Sequence, residues 1–511
     1  MKLLFVSSRS ASVLLDGSGD YYMPFTAVLS LNGVSLGEEN RSVVSLFDLL
    51  PETDYALTAE KPGSGTETLS FRTEPESFTL DVRRFGARGD GLSDDTAALQ
   101  AAVSCCPEGG RVLLPAGTYL SGPLFLKSHM TLELKKGAVL SMTTDRSRYP
   151  VLPGVTFGEG EDGELLLGSW EGNPLNMYAS ALTGIGAEDV RIIGEGVIDG
   201  RGREGGWWDN PKAVRAVSRG HLLFLRDCRN VTVQGITFRN SPSWNIHPLL
   251  SRDLSFLNIA VEAPADSPNT DGFDPQSCDG VRVLGALFSV GDDCIAIKSG
   301  KIWHGRKYHV PCQNLEIAWC AMLDGHGGVT VGSEMAGGVY RVRVHHCLMR
   351  GNDRGLRLKS RRGRGKNAVV DDIRFEDVRM ESVKTPLVVN CLYFCDPDGH
   401  SPWVQSRDPQ PVDEGTPTIG SVTFERVRAE GCHACAAWIL GLPERPVRNV
   451  TVRDSFFGFA ENAEAQVPAM AENVPAVRNL GIVAQFIDGL TVENVTMERI
   501  EGEMVQIKDK E

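Results

Sequence analysis

A short motif of alternating apolar and polar residues recurs through most of the chain. Alternation with a period of two is typical of a β-strand that buries one face. The closely spaced copies at Val231, Leu254 and Val281 are 23 and 27 residues apart, and later steps are longer. Steps of this size predict the coils of a repeating structure with loops inserted between strands. The ten anchors of the motif are Val190, Val231, Leu254, Val281, Leu315, Val342, Ile373, Val422, Val450 and Leu490.

These strands predict an all-β fold, a right-handed parallel β-helix that occupies residues 77–511. Each coil of such a solenoid buries its apolar face on its neighbours, so a long chain can share one core. A TIM barrel would need a helix after every strand. A β-propeller would repeat at about 40–50 residues.

Residues 1–76 show short alternating runs broken by turn residues, which predicts a separate small β domain. The segment Leu50-Pro-Glu-Thr-Asp-Tyr55 resembles the tyrosine corner of fibronectin type III domains. Those domains usually bury a tryptophan, and this segment has none. A fibronectin type III-like sandwich is therefore the first interpretation, and an unclassified small β-sandwich is the alternative.

One helix is predicted near residues 93–106, with Ser93 as its N-cap and apolar residues at helical spacing. A lone helix in front of a long β array is expected to cap the open end of the solenoid.

A second recurring element brings acidic residues of different coils together. Five segments end in a shared serine, and the first, which begins at Trp244, aligns with the one that begins at Thr270. The last, from Arg354, needs a one-residue shift such as a β-bulge would give. The shared serines are Ser251, Ser277, Ser299, Ser333 and Ser360.

This register predicts a polar cluster, because residues in the same register stack on adjacent coils about 4.8 Å apart. Asp271 and Asp293 fall in one column, and Thr270, Asp292 and His326 fall in the next. Two cations follow on the coil after the histidine. The expected cluster is Asp271, Asp292, Asp293, His326, Arg357 and Lys359.

Three stacked carboxylates repel one another, so their presence points to a function or a metal. Gly291 permits a bend that lets Asp292 and Asp293 face one site. Glycoside hydrolysis needs one carboxylic acid that keeps its proton for the leaving oxygen and one carboxylate that activates water. Neighbouring carboxylates raise one pKa and so separate these two roles.

At these residues the sequence resembles the polygalacturonases of glycoside hydrolase family 28. Four motifs in a fixed order mark that family, and the similarity extends from about residue 78 to near the end of the chain. The resemblance implies hydrolysis of α-1,4 linkages between galacturonate residues by single displacement, with inversion and without a cofactor or metal. The motifs are Asn269-Thr270-Asp271, Gly291-Asp292-Asp293, Gly325-His326-Gly327 and Arg357-Leu358-Lys359.

The resemblance also implies catalytic roles. Asp292 would be the general acid, and Asp271 and Asp293 would together position and activate the water. His326 would hydrogen-bond near the acid and help to set its protonation.

Substrate binding is expected from five further residues. Arg357 and Lys359 would hold a galacturonate carboxylate, the Arg as a bidentate fork and the Lys as a point charge. Their presence favours galacturonate on both sides of the cut over a neutral sugar. Asn269, Tyr393 and Trp244 are the remaining candidates.

Exo action is the predicted mode of cutting. The stretch from Tyr149 to Asn176, and Trp207-Trp208 with Trp244, are expected to close one end of the cleft. The N-terminal domain also resembles that of bacterial exo-acting members. The expected partner is a galacturonate-rich pectic oligosaccharide or polysaccharide.

The charge pattern excludes other partners. The net charge is −14, and one basic run, from Arg354 to Lys366, is a poor electrostatic footprint for nucleic acid. No apolar stretch is long enough to span a membrane. The apolar run Leu3 to Val6 is too short for a signal-peptide core, which predicts a cytoplasmic location.

Twelve cysteines are more typical of a reducing compartment than of a disulfide framework. Cys391, Cys395, Cys432 and Cys435 have a loose spacing that leaves a structural zinc site open as a minor alternative.

Other functions remain as alternatives. A calcium-dependent pectate lyase or a rhamnogalacturonan or xylogalacturonan hydrolase would use the same fold, since stacked aspartates are also calcium ligands. A carbohydrate-binding β-helix without catalysis would need no acid and base.

Overall fold

The computed structural model describes residues 1–63, 65–157, 164–213 and 215–508. Three long parallel sheets stack coil upon coil, which confirms the predicted right-handed parallel β-helix. An antiparallel two-sheet sandwich precedes it. We name the sheets A, B and C in the order in which each coil visits them.

The N-terminal sandwich consists of one three-stranded and one four-stranded sheet. The Tyr55 hydroxyl accepts a hydrogen bond from the Leu50 N–H at 2.9 Å, which is the contact of a tyrosine corner. Membership of the fibronectin type III class stays a prediction. The first sheet contains Lys2–Val6, Ala11–Leu14 and Val43–Leu46, and the second Tyr22–Leu31, Val34–Arg41, Asp54–Lys61 and Gly65–Arg72.

Sheet A has fourteen strands and carries all ten anchors of the alternating motif. Each anchor pairs in register with the next, from Val190 to Leu490. The nine anchors from Val190 to Val450 are at most 3% exposed, so the column is one continuous apolar stack. The strands are Thr79–Asp81, Gly110–Leu114, Met130–Leu134, Glu188–Gly194, Arg229–Gln234, Arg252–Leu257, Asp279–Leu284, Cys312–Ala318, Val339–His345, Val369–Glu376, Thr418–Ile419, Val422–Glu425, Val447–Arg453 and Ile487–Glu493.

Sheet B has thirteen short parallel strands and follows sheet A after a tight turn in each coil. Its strands are Asp90–Asp94, Gly117–Ser121, Ala138–Met142, Val197–Asp199, Thr237–Arg239, Ala260–Glu262, Leu287–Ser289, Ala321–Leu323, Leu348–Arg350, Arg379–Glu381, Arg428–Cys432, Phe456–Phe459 and Thr496–Glu498.

Sheet C is interrupted at one coil, and this interruption lies at the predicted site. Single bridges from Phe273 to Ile246 and Ile295 connect its two halves. The first half contains Leu124–Phe125, Leu182–Ile185, Leu223–Arg226 and Ile246–Leu249, and the second Ile295–Ile297, Gly327–Val331, Arg354–Lys359, Thr385–Asn390, Cys435–Leu440, Leu480–Gln485 and Val505–Ile507.

The predicted cap is the helix Thr96–Cys105, whose Leu99, Ala102 and Val103 are buried. Its N-cap is Asp95 and not Ser93, because Ser93 belongs to the preceding strand. Other short elements are the helices Ile302–Tyr308 and Pro402–Gln405, the 3-10 turns Val82–Phe85 and Arg146–Arg148, and two antiparallel pairs, Val151–Leu152 with Met177–Tyr178 and Thr156–Phe157 with Glu164–Leu165.

The sandwich packs on the turns between sheets A and B. Gln234 accepts from the Ser10 hydroxyl at 2.5 Å and donates to Ser12 at 2.7 Å, and Ser45 donates to Asn258 at 2.6 Å. The predicted site lies between sheets B and C, so these contacts leave it free.

Candidate active site

The predicted columns follow from the register of sheet C. Phe273 bridges to Ile295, and Ile295 pairs with Val329, so Asp271 lies beside Asp293, and Asp292 beside His326. Two details of the alignment were wrong. Ile246 bridges to Phe273, which moves Trp244 by one residue into the column of Asp271. Pairing from Gly327 to Arg354 continues without a bulge.

Gly291 is required here by space. A Cβ on it would lie 2.3 Å from the carbonyl oxygen of Ser267, and its backbone does not have a positive φ. The chain bends at Gly291 and Asp292. The bend places consecutive carboxylates in one site, although strand geometry would send them to opposite faces.

Three carboxylates converge at this bend. Asp271, Asp292 and Asp293 each offer an oxygen within 4.8 Å of the other two. Asp271 is 4% exposed and Asp293 is 1% exposed, whereas 24% of the Asp292 side chain is exposed. Asp292 therefore faces the cleft, and the other two acids form its floor.

Asp293 is held as an ion by two cations. Arg357 Nη1 donates to Oδ1 at 3.0 Å, and Lys359 Nζ donates to Oδ2 at 2.8 Å. Burial alone would raise the pKa of Asp293, but Lys359 and Arg357 outweigh it and lower that pKa below its ordinary value. Charge-assisted bonds of this kind are the strong ones in proteins.

Asp271 has the opposite electrostatic balance. Burial and the neighbouring charge of Asp292 raise its pKa above the ordinary value, although Lys298 opposes them. Two adjacent acids with pKa values displaced in opposite directions are the pattern that separates a proton-holding group from an ionised one.

His326 lies beside the exposed acid. Its Nδ1 is 3.3 Å from Asp292 Oδ1, and this hydrogen bond raises the pKa of His326. The same Asp292 oxygen accepts from the backbone N–H of Asp293 at 3.0 Å. The carboxylate is thus oriented by two donors while its other oxygen remains available.

The two cations have aromatic and sulfur neighbours. The ring centre of Tyr393 lies 5.9 Å from the Arg357 guanidinium and 5.5 Å from the Lys359 ammonium. Arg357 Nη2 lies 2.8 Å from Sδ of Met470, which belongs to a loop of a later coil. Long-range contacts of this kind are invisible in the repeat pattern.

The remaining arginines of the basic run do not join this site, nor do they form a solvated loop. Arg361 donates to Asp398 at 2.8 Å, and Arg364 donates to Asp396 at 2.6 Å. Arg362 is 1% exposed and forms a bidentate pair with Glu444.

Two predicted binding residues have protein partners. Asn269 Oδ1 accepts from Arg219 Nη2 at 2.6 Å, at the edge of the site. Trp244 is only 2% exposed, and its ring stacks on Trp170 and His221. The covered ring disfavours stacking of a sugar on Trp244, and contact between Trp244 and substrate stays a prediction.

Trp207 and Trp208, which were expected to help close one end of the cleft, have partners within the protein. Trp207 is buried against Tyr149 and Tyr178, with ring centres 5.4 Å away in each case, and is a packing residue. Trp208 donates to the Ser241 carbonyl at 2.9 Å. Within the stretch from Tyr149 to Asn176, residues 158–163 lie outside the described residues.

The positions of the cysteines bear on the alternative of a structural zinc site. All twelve cysteines are described and are free thiols. Among the described residues, the group of potential metal ligands is formed by the three aspartates, so Cys391, Cys395, Cys432 and Cys435 do not converge on a zinc site. In the same residues no helix is long and apolar enough to cross a membrane.

Sequence reasoning missed Lys298, Asp274 and Glu334, which lie under the cluster. Lys298 is 3% exposed, with its Nζ 3.4 Å from an oxygen of both Asp274 and Glu334. The available signal was a lone lysine in the apolar run Cys294-Ile-Ala-Ile297, because a lysine is almost never buried unless it is paired.

Residues 159–456 match the family described as Glycosyl hydrolases family 28. Residues 79–140 match the description Rhamnogalacturonase A/epimerase, pectate lyase-like. A probable polygalacturonase of Vitis vinifera is 32% identical over 400 residues, which are 76% of this chain and 75% of that protein. Other relatives are named as endo- and as exo-acting enzymes.

Two solved structures extend the comparison. A hyperthermoactive exopolygalacturonase from Thermotoga maritima has 26% identity and a TM-score of 0.64, covering 83% of this chain and 92% of that one. A family 28 exopolygalacturonase from Yersinia enterocolitica covers 99% and 98%, with a TM-score of 0.74 and 20% identity. The second match spans the N-terminal sandwich as well as the β-helix, so the fold of the whole chain resembles that of a solved structure.

Proposed function

Because the chain belongs to glycosyl hydrolases family 28, we propose that it hydrolyses α-1,4 linkages between galacturonate residues and releases them from one end of a pectic chain. The observation that carries the proposal is the cluster of three carboxylates within 4.8 Å, one of which is bonded to both Arg357 and Lys359. Acid, base and anion-binding groups thus adjoin one another.

Asp292 acts as the general acid in this proposal, because it is the acid that faces the cleft and can reach a leaving oxygen. Asp271 and Asp293 lie deeper and hold the water. Burial and the nearby charge of Asp292 raise the pKa of Asp271, so these two acids act on each other at close range. His326 orients Asp292 and favours its ionised form after proton transfer.

Inversion is the proposed stereochemical course. General spacing rules assign about 6.5–9.5 Å between carboxyl groups to inverting enzymes and about 5 Å to retaining ones. The nearest oxygens here lie within 4.8 Å, which alone would favour retention. Burial favours inversion, because Asp271 and Asp293 are too enclosed to attack a sugar carbon, whereas a water molecule is small enough to do so. Proton NMR of the first product anomer tests this assignment.

Arg357 and Lys359 provide recognition of the anionic sugar. Asp293 uses one Arg357 nitrogen and one Lys359 proton, so each cation retains donors for a substrate carboxylate. Tyr393 forms part of the same wall. A neutral rhamnose in this position has no carboxylate to accept from these donors, which disfavours a rhamnogalacturonan hydrolase.

Exo action is supported by a tight turn that closes one end of the cleft. Trp170 and Asn173 exchange backbone hydrogen bonds at 2.9 and 3.0 Å. The Gly172 carbonyl then accepts from the Lys301 N–H at 3.0 Å, on the coil of Asp292. Although this turn precedes Trp244 in sequence, it reaches past three intervening coils to contact Lys301.

Product analysis tests substrate and cutting direction together. Incubation with defined oligogalacturonides should release one short product while the remaining chain shortens stepwise, because the wall fixes one end. Chromatography over time measures this. An early ladder of mixed oligomers from long polygalacturonate would reject exo action and leave hydrolysis intact.

The calcium-dependent lyase is disfavoured by the donor set. Calcium takes six to eight oxygen ligands, and both oxygens of Asp293 are already bonded to cations that would repel it. A lyase would give an unsaturated, UV-absorbing product and would stop on addition of a chelator. The proposed hydrolase should show neither effect.

A cytoplasmic location stays a prediction that cell fractionation would test.

Substitution of Asp271 by asparagine should make the protein more stable at neutral pH and inactive. The folded-state pKa of Asp271 lies above its ordinary value of 3.8, so the native state loses stability as pH rises above that value. Asparagine removes this penalty. Melting temperatures at pH 7 should favour the variant, and the difference should shrink towards pH 4. Equal melting curves at both pH values would contradict the electrostatic account.

A further inference from the structure

Lys298 has an unusual position for a lysine. It directly follows the strand Ile295–Ile297 and is 3% exposed, with its ammonium beneath the cleft. Three carboxylates surround the ammonium, Asp274 and Glu334 at 3.4 Å and Asp271 at 3.7 Å. A buried charge is tolerated only where such partners exist.

Trp244 fixes the ammonium from another side. Lys298 Nζ lies 4.3 Å from the centre of the Trp244 ring, a cation–π contact. The ring is itself held by Trp170 of the turn that closes the cleft, with the ring centres 6.0 Å apart. The role of the covered Trp244 is therefore to support Lys298.

The cluster has more carboxylates than one ammonium can neutralise. Burial alone would raise the pKa of Glu334, but Lys298, Lys301 and other cations lower it to about 2, so Glu334 is the ionised partner of Lys298. Neither oxygen of Asp274 accepts a hydrogen bond from a described residue, and burial raises its pKa well above the ordinary value.

We propose that Lys298 is a positioning residue for the reaction. Its ammonium holds Asp271 against Asp292 and favours the ionised form of Asp271 at the pH at which the enzyme works. This inference rests on the proposed hydrolase function. Lys298 opposes burial and like charge at Asp271 more strongly than Lys359 does, and it acts from the buried side of the carboxylate. The titratable groups that influence Asp271 include Asp292, Lys298, Asp293, Lys359, Asp274 and Arg219. Those that influence Lys298 include Glu334, Asp274, Asp271, Asp293, Glu171 and His247.

The pH profile of kcat/KM on trigalacturonate tests the proposal. Lys298→Met should move the acidic limb to higher pH by roughly 1–3 pH units, the usual effect of one close opposite charge. Glu334→Gln should move the same limb to lower pH, because it removes a negative charge and frees Lys298 to attract Asp271. If Lys298 acted only by packing, neither substitution would shift the acidic limb, and the two variants would not differ in the direction of a shift.

Lys61→Met is the matched control, because Lys61 is a largely buried lysine of the N-terminal sandwich and pairs with Glu67 at 2.8 Å, away from the cleft. It should leave the limb in place. A uniform loss of kcat/KM at every pH in Lys298→Met, with an unmoved limb in Glu334→Gln, would overturn the inference. If Lys298→Met does not fold, the shift in Glu334→Gln decides alone. Absence of hydrolysis by the wild-type protein would instead reject the proposed function.

Discussion

Substitution of Asp292 by asparagine is expected to lower kcat on oligogalacturonides by about 10³–10⁴-fold, at the upper end of what a general acid contributes. Asparagine keeps the shape of the side chain and can still accept from the Asp293 N–H. It cannot supply a proton to the leaving oxygen. Because Arg357 and Lys359 are untouched, KM should change much less than kcat.

The control for this variant is Asp266→Asn. Asp266 is an exposed acid on the same coil as Asp271, bonded to Arg203 at 2.8 Å. Its substitution removes the same charge from the surface and should leave kcat near the wild-type value. Binding measured by calorimetry should survive in Asp292→Asn. Near-normal turnover by that variant would refute the assignment of Asp292 as the acid.

The repeat could be predicted from sequence because its cause is local. Every coil must bury an apolar stripe on the next, so Val231, Leu254 and Val281 recur with the alternation that a strand imposes. The register of those anchors was correct across the whole of sheet A. The same logic placed Asp271 beside Asp293, since both lie at fixed distances from a strand that aligns.

Features that depend on loops could not be predicted in this way. The turn from Trp170 to Asn173 and the loop of Met470 reach the site from distant coils, and nothing in the periodicity encodes where an insertion lands. Trp244 was displaced by one residue in the predicted register, and the sequence pattern did not show that its ring is buried. Lys298 was overlooked because its neighbours are apolar, and only the fold shows that three carboxylates face it.

Asp293→Asn should be the most destabilising of the isosteric substitutions at the catalytic carboxylates. It leaves Arg357 and Lys359, which are 6% and 7% exposed, without their counter-ion. Breaking a buried ion pair from one side costs about 3–5 kcal/mol, because the remaining charge stays desolvated. Turnover should also be lost, since the water would have one oriented carboxylate instead of two. Urea unfolding at pH 7 measures the stability change.

The sign of the pH dependence separates this effect from simple loss of packing. The folded-state pKa of Asp293 is below its ordinary value of 3.8, so its stabilising contribution is present above that value and is lost as pH falls through the folded-state pKa. The deficit of Asp293→Asn should therefore be largest at neutral pH and diminish in acid. Asp271→Asn changes the same atoms and should act in the opposite direction at pH 7. Adding Lys359→Met to Asp293→Asn should restore part of the stability, because it removes one unpaired charge. A deficit that is independent of pH and unaffected by the second substitution would show that the ion cluster contributes nothing beyond its shape.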